Sequence, residues 1–115
     1  RVEAGRLMAD RLPPGELVIA CDHASGYSDP RLLHRADRDG WSVAIADLSP
    51  ERLAKLRAFG ASRVAIVTSP EHPGFDPPAF LLPLRSAELP IEHGGRRLGT
   101  LFLYTLSPLS AGAAP

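Results

Sequence analysis

The chain has 115 residues, room for one ordinary domain around a single modest core. Thirteen basic residues balance thirteen acidic ones, so it lacks the basic excess of a nucleic-acid or anionic-membrane binder. The single cysteine, Cys21, excludes an intramolecular disulfide framework and any multi-cysteine metal site, and no apolar run approaches the ~18 residues of a membrane span.

Residues 1–12 read as a helix with Val2, Leu7 and Met8 partly in phase, weakened by Gly5 and ended by Pro13-Pro14-Gly15. Leu17–Cys21 is a short apolar run that suits a covered strand, with Asp22 at its carboxyl end. After a loop with Gly26, Ser28 and Asp29, the pair Asp29-Pro30 signals a short helix over Arg31–Arg38. Leu32 and Leu33 are its buried contacts and Asp39-Gly40 its stop. The stretch from Gly40 to Ser69 then predicts a βαβ unit, with strands at Trp41–Ala46 and Arg63–Thr68 around a helix at Ser49–Phe59. Val43–Ala46 and Val64–Val67 are continuous apolar runs, as strands covered on both faces require. Ser49 can cap the helix, Pro50 fits its first position, and Glu51 complements its dipole. Leu53, Leu56 and Phe59 form its apolar stripe and Gly60 the left-handed stop. Such a unit predicts two neighbouring parallel strands.

Four prolines and Gly74 make residues 70–78 a surface loop. Pro83 leaves Ala79–Leu84 as an edge strand or a helical turn. Glu88–His93, Gly94-Gly95 and Leu98–Leu106 predict a β-hairpin, and residues 107–115 a disordered tail. The α-β-α-β-α-β order predicts an α/β fold: a small three-layer sandwich, its mostly parallel sheet of βαβ units joined by a C-terminal antiparallel hairpin. One domain covers residues 1–106.

Chemistry is less legible. Cys21-Asp22-His23 could supply a thiolate and a base, but a buried strand cysteine followed by a turn is the plainer reading. Asp22 and Asp47 follow predicted parallel strands, where open α/β sheets place their ligands and where a carboxylate can hold a sugar hydroxyl. No glycine-rich phosphate loop and no GxSxG elbow occurs. His23, His34, His72 and His93 are scattered without metal-ligand spacing, so neither a metal nor a cofactor is expected. Arg35 and Arg38 beside Trp41 could contact a sugar or an anionic group. Trp41 otherwise belongs to the core, tucked beneath the Arg31–Arg38 helix or against the sheet edge. The candidate ligand-binding residues are thus Trp41, Arg35, Arg38, Asp22 and Asp47.

Leu12-Pro13-Pro14-Gly15, Leu17-Val18-Ile19-Ala20, the Leu33–Trp41 segment with Arg38-Asp39-Gly40-Trp41, Leu53–Gly60, Val64–Val67 and Tyr104-Thr105-Leu106 carry a resemblance. Together they resemble the extracytoplasmic C-terminal domain of bacterial membrane glycosyltransferases of the protein-mannosyltransferase and lipid A aminoarabinose-transferase type. Leu33 stands where that pattern usually has a tyrosine. The resemblance implies an accessory domain without catalytic residues, excised from a polytopic enzyme that uses a polyprenyl-phosphate-linked sugar. It would lie on the extracytoplasmic face of the membrane, covering the active site or positioning the acceptor. Its partners would be the membrane-embedded part of its own parent chain and a lipid-linked sugar or acceptor, and no nucleic acid. The start at Arg1, without methionine, fits that expectation. The alternatives are a free-standing small α/β domain that binds a nucleotide or sugar near Asp22 and Asp47, and a protein-interaction module.

Overall fold

A computed structural model describes residues 2–22, 33, 36–68 and 77–106. Helix α1 (Val2–Arg11) leads into strand β1 (Leu17–Asp22); β2 (Asp39–Ser42), α2 (Pro50–Ala58), β3 (Ala61–Thr68), β4 (Arg85–His93) and β5 (Arg96–Thr105) follow. Short 3-10 turns occupy Ile45–Asp47 and Ala79–Leu84. The strands form one sheet in the order β2-β1-β3-β5-β4. β1 runs parallel to β2 and β3, whereas β5 runs antiparallel to β3 and β4.

The expected three-layer sandwich of mostly parallel βαβ units is therefore incorrect. The sheet is mixed, and the domain is rich in strand and poor in helix. The antiparallel hairpin supplies its two longest strands, of 9 and 10 residues. β2 has only four residues. It also lies earlier than expected, because Val43–Ala46 leaves the sheet instead of extending it. Val43 keeps one ladder bond, donating its N–H to the Ala20 carbonyl at 2.9 Å. Val43 and Leu48 then fold over the sheet as part of its apolar cover. The expectation that the strands flanking α2 are neighbours fails too, since β1 lies between β2 and β3.

Side-chain alternation explains the continuous apolar runs. Val18, Ala20, Ala65, Val67, Leu101 and Leu103 pack with Ala4, Met8 and Leu12 and with the buried Leu33 and Ala36. Ile19, Cys21, Val64, Ile66, Phe102 and Tyr104 face the other way, against Val43, Leu48, Leu53, Leu56 and Leu81. Helix α2 begins as its sequence dictates, with the Ser49 hydroxyl accepting from the Arg52 N–H at 3.1 Å and Pro50 at the first position. Leu53 and Leu56 are buried, but Phe59, expected in the same stripe, is 66% exposed. It stands at the C-cap, where the chain has left helical geometry and turns through Gly60 at φ +109°.

Of the expected Arg31–Arg38 helix, Leu33 and Ala36 are described and helical. Asp37 then takes a left-handed φ of +55°, so the stop comes two residues before Asp39-Gly40. The expected loop over 70–78 lies outside the described residues up to position 76, as does the tail at 107–115. β4 forms one edge of the sheet and carries Pro90 with exposed Glu88 and Glu92. Such residues keep an edge from pairing with another strand.

Candidate functional site at the carboxyl end of the sheet

The strand order 2-1-3 makes the carboxyl ends of β1 and β3 the place to look for a ligand. The chain passes from β1 to β2 with Leu33 and Ala36 packed on one face, and from β2 to β3 with α2 packed on the other. Connections that leave on opposite faces open a crevice between the two strand ends. Asp22 is the last residue of β1 and Thr68 the last of β3. Across from Thr68 stands Thr100 of β5, and β5 begins four residues before that register, so the hairpin tip projects past the end of β3.

Thr68, Thr100 and Arg97 are joined there. The Thr68 hydroxyl donates to the Thr100 carbonyl at 3.4 Å. Arg97 donates through Nη2 to the Thr100 Oγ1 at 2.6 Å and through Nε to the Gly99 carbonyl at 3.3 Å. Thr68 and Thr100 are buried, whereas Arg97 is exposed. Sequence reasoning missed all three. A register count outward from the Gly94-Gly95 turn would have placed Arg97 opposite Glu92 at the tip.

The residues chosen from the sequence scatter. Arg38 spends its guanidinium on backbone carbonyls, those at the end of α1 among them. Nε and Nη2 donate to the Leu12 carbonyl at 3.2 and 2.6 Å, and Nη2 also donates to that of Ala9 at 3.0 Å. Nη1 donates to the carbonyls of Ala36 and Asp37 at 3.1 and 2.9 Å. A cation is well placed there, because the last carbonyls of a helix lack internal partners and carry its negative end. Asp47 is exposed at the end of a 3-10 turn that follows β2. Arg35, His23, His34 and His72 lie outside the described residues.

Trp41 stands on the edge strand β2, in line with one of its two expected placements, but is not a fully buried core residue. It is half-buried and packs with the cluster on the α2 side. The pleat dictates this: Trp41 pairs with Ile19, which faces α2, whereas Leu33 and Ala36 cover the face of Val18 and Ala20. Trp41→Ala should therefore lower stability by less than the ~3–5 kcal/mol typical of a fully buried aromatic. A urea titration with a fluorescence-independent probe reads it.

Cys21 is buried and its thiol is pushed up to about 12 by desolvation. A nucleophile needs the thiolate, so this sulfur is inert at neutral pH. Modification by a thiol reagent at pH 8 should stay far slower in the folded chain than in urea-unfolded chain.

At the amino end of the sheet, Glu16 accepts from Arg63 Nε at 2.8 Å and Nη2 at 3.2 Å, and from the Ser62 hydroxyl at 2.7 Å. Arg63 Nη1 also donates to the Thr105 hydroxyl at 3.1 Å. The hydrogen bond from Arg63, above all, holds the Glu16 carboxyl below its ordinary value, against the opposing effect of burial. A folded-state value below the unfolded one gives stability that is complete above the usual glutamate range and fades as pH falls through the lowered value. Glu16→Gln should therefore flatten the acid limb of a stability–pH curve while costing on the order of 1 kcal/mol at pH 7.

Arg85 stacks over Phe102, its Cζ 4.8 Å from the ring centroid, and lies 5.7 Å from that of Tyr104. Its Nη1 reaches Glu88 at 3.3 Å. The Tyr104 hydroxyl and Arg85 Nε are buried without hydrogen-bond partners. Burial raises the phenol's pKa, and the nearby guanidinium opposes that shift. Both polar atoms are closed to solvent, so this pair is a packing feature and not an open site. An open groove of about 510 Å³ lies between the end of α2 and Leu106, where Arg57 donates to the Leu106 carbonyl at 3.1 Å. Among the described residues no group of three or more His, Cys, Asp or Glu could hold a metal ion.

No protein-family model matches the chain, and neither a curated protein nor a solved structure does.

Proposed function

We propose that the chain is a non-catalytic accessory domain of a bacterial membrane glycosyltransferase that uses a polyprenyl-phosphate-linked sugar. In that reading it lies on the extracytoplasmic side, packs against the membrane-embedded part of its own parent chain, and covers the active site or positions the acceptor. The observation that supports it is the use made of Arg38-Asp39-Gly40-Trp41, the segment at the centre of the resemblance. Arg38 ties the end of α1 to the start of β2, Gly40 lets β2 close on Val18, and Trp41 packs against the core. A segment spent on building a fold is what an accessory domain would keep. The inert Cys21 thiol agrees with it. The reading frame upstream of Arg1 tests the proposal: several membrane spans directly before it would support it, and a start codon a few residues away would overturn it.

A further inference from the structure

We propose that the carboxyl end of β3 and the adjoining amino end of β5 bind a single oxyanion, a phosphoryl or carboxylate group, between Arg97 and Thr100. This goes beyond the accessory-domain reading and does not depend on it. Arg97 is exposed, yet two hydrogen bonds fix its guanidinium, to the Gly99 carbonyl and the Thr100 hydroxyl oxygen. Neither uses Nη1, and among the described residues no carboxylate pairs with this cation. The Thr100 Oγ1 accepts from Arg97, which leaves its own proton to donate. Thr100 is 9% exposed, and a buried hydroxyl donor is costly to leave unused. The Thr100 hydroxyl and the Arg97 guanidinium, joined at 2.6 Å, thus offer donors from two side chains to different oxygens of one group. The acceptor that satisfies both and neutralises the guanidinium is an oxyanion.

These donors stand beside the carboxyl end of β3, which β5 pairs with in the sheet. Glu92 is the acidic residue opposite Arg97 in the hairpin register, and it opposes an incoming anion. Arg96, one residue away, points to the other side of the strand and serves as the internal control.

The test is a ¹⁵N–¹H NMR titration of the chain with inorganic phosphate and, separately, acetate, at constant ionic strength to cancel screening. Saturable shifts at the Thr100 amide and the Arg97 side-chain N–H are expected. Arg97→Gln should weaken binding by about tenfold or more, as the loss of a charge-assisted pair does. Thr100→Val should weaken it less, Glu92→Gln should tighten it, and Arg96→Gln should leave it unchanged. Saturation by phosphate alone identifies a phosphoryl site; saturation by both identifies a general oxyanion site. Linear, unsaturable shifts would overturn the proposal, as would equal losses in Arg96→Gln and Arg97→Gln.

Discussion

Gly40→Ala should leave little folded protein. Gly40 pairs with Val18 in the parallel β1–β2 ladder. A β-carbon built there would lie 1.8 Å from the Val18 carbonyl oxygen and 2.7 Å from the Val18 nitrogen and carbonyl carbon. These are backbone atoms of the interior strand β1, and Val18 is itself fully buried, so no side chain can swing aside to make room. The φ of +151° adds a backbone conformation that L-residues rarely adopt. Relief requires β2 to separate from β1, which gives up the ladder and part of the core under it. A loss of at least ~3 kcal/mol is expected, a large share of the ~5–15 kcal/mol that holds a domain together. Urea unfolding followed by far-ultraviolet circular dichroism measures it. An unchanged midpoint would mean that β2 does not pair with β1 in this register.

Arg38→Ala should be the second severe change. It removes five hydrogen bonds, made to the carbonyls of Ala9, Leu12, Ala36 and Asp37. It also takes a cation from the negative end of α1. Hydrogen bonds to charged groups contribute about 1.5–3 kcal/mol each at most, and bonds shared by one fork do not add independently. A net loss of about 2–4 kcal/mol is expected. Its signature is local: amide exchange in α1 should accelerate more than in β3. Arg38→Lys should recover only part of the loss, because an ammonium cannot hold carbonyls of two segments in one planar fork. Uniform acceleration across β3 and α1 would instead point to global destabilisation without a specific tie.

What could be read in advance followed from local chemistry. The boundaries of α2 stood in Ser49, Pro50 and Gly60, and the hairpin in Gly94-Gly95 between apolar runs. The strands β1 and β3 were plain in Leu17–Cys21 and Val64–Val67. The balance between parallel and antiparallel pairing was not legible, because it depends on which strands become neighbours. Val43–Ala46 misled for a related reason. An apolar run that covers a sheet and one that enters it have the same composition, and burial alone does not separate them. Phe59 fitted the period of α2 but lies at its end, where a periodic argument no longer holds.

The candidate site was less legible than the fold. Arg38 drew attention as a cation beside an aromatic ring, but its partners are backbone carbonyls, two of them 26 and 29 residues away in the chain. A sequence gives no sign of a backbone acceptor, so a capping arginine and a ligand-binding one look alike. Arg97, Thr68 and Thr100 carry no motif, and only the strand register gathers them.

In the proposed accessory role, this chain builds a domain and the chemistry belongs to the membrane-embedded part of its parent. The most direct test of that role is to incubate the purified chain with a polyprenyl-phosphate-linked sugar and a protein or lipid acceptor, and separately with nucleoside triphosphates. The account predicts no turnover above a buffer control in either assay, for the parent chain and for Cys21→Ala alike. Robust turnover that disappears in Cys21→Ala or Asp22→Asn would contradict it and make the strand ends an active site.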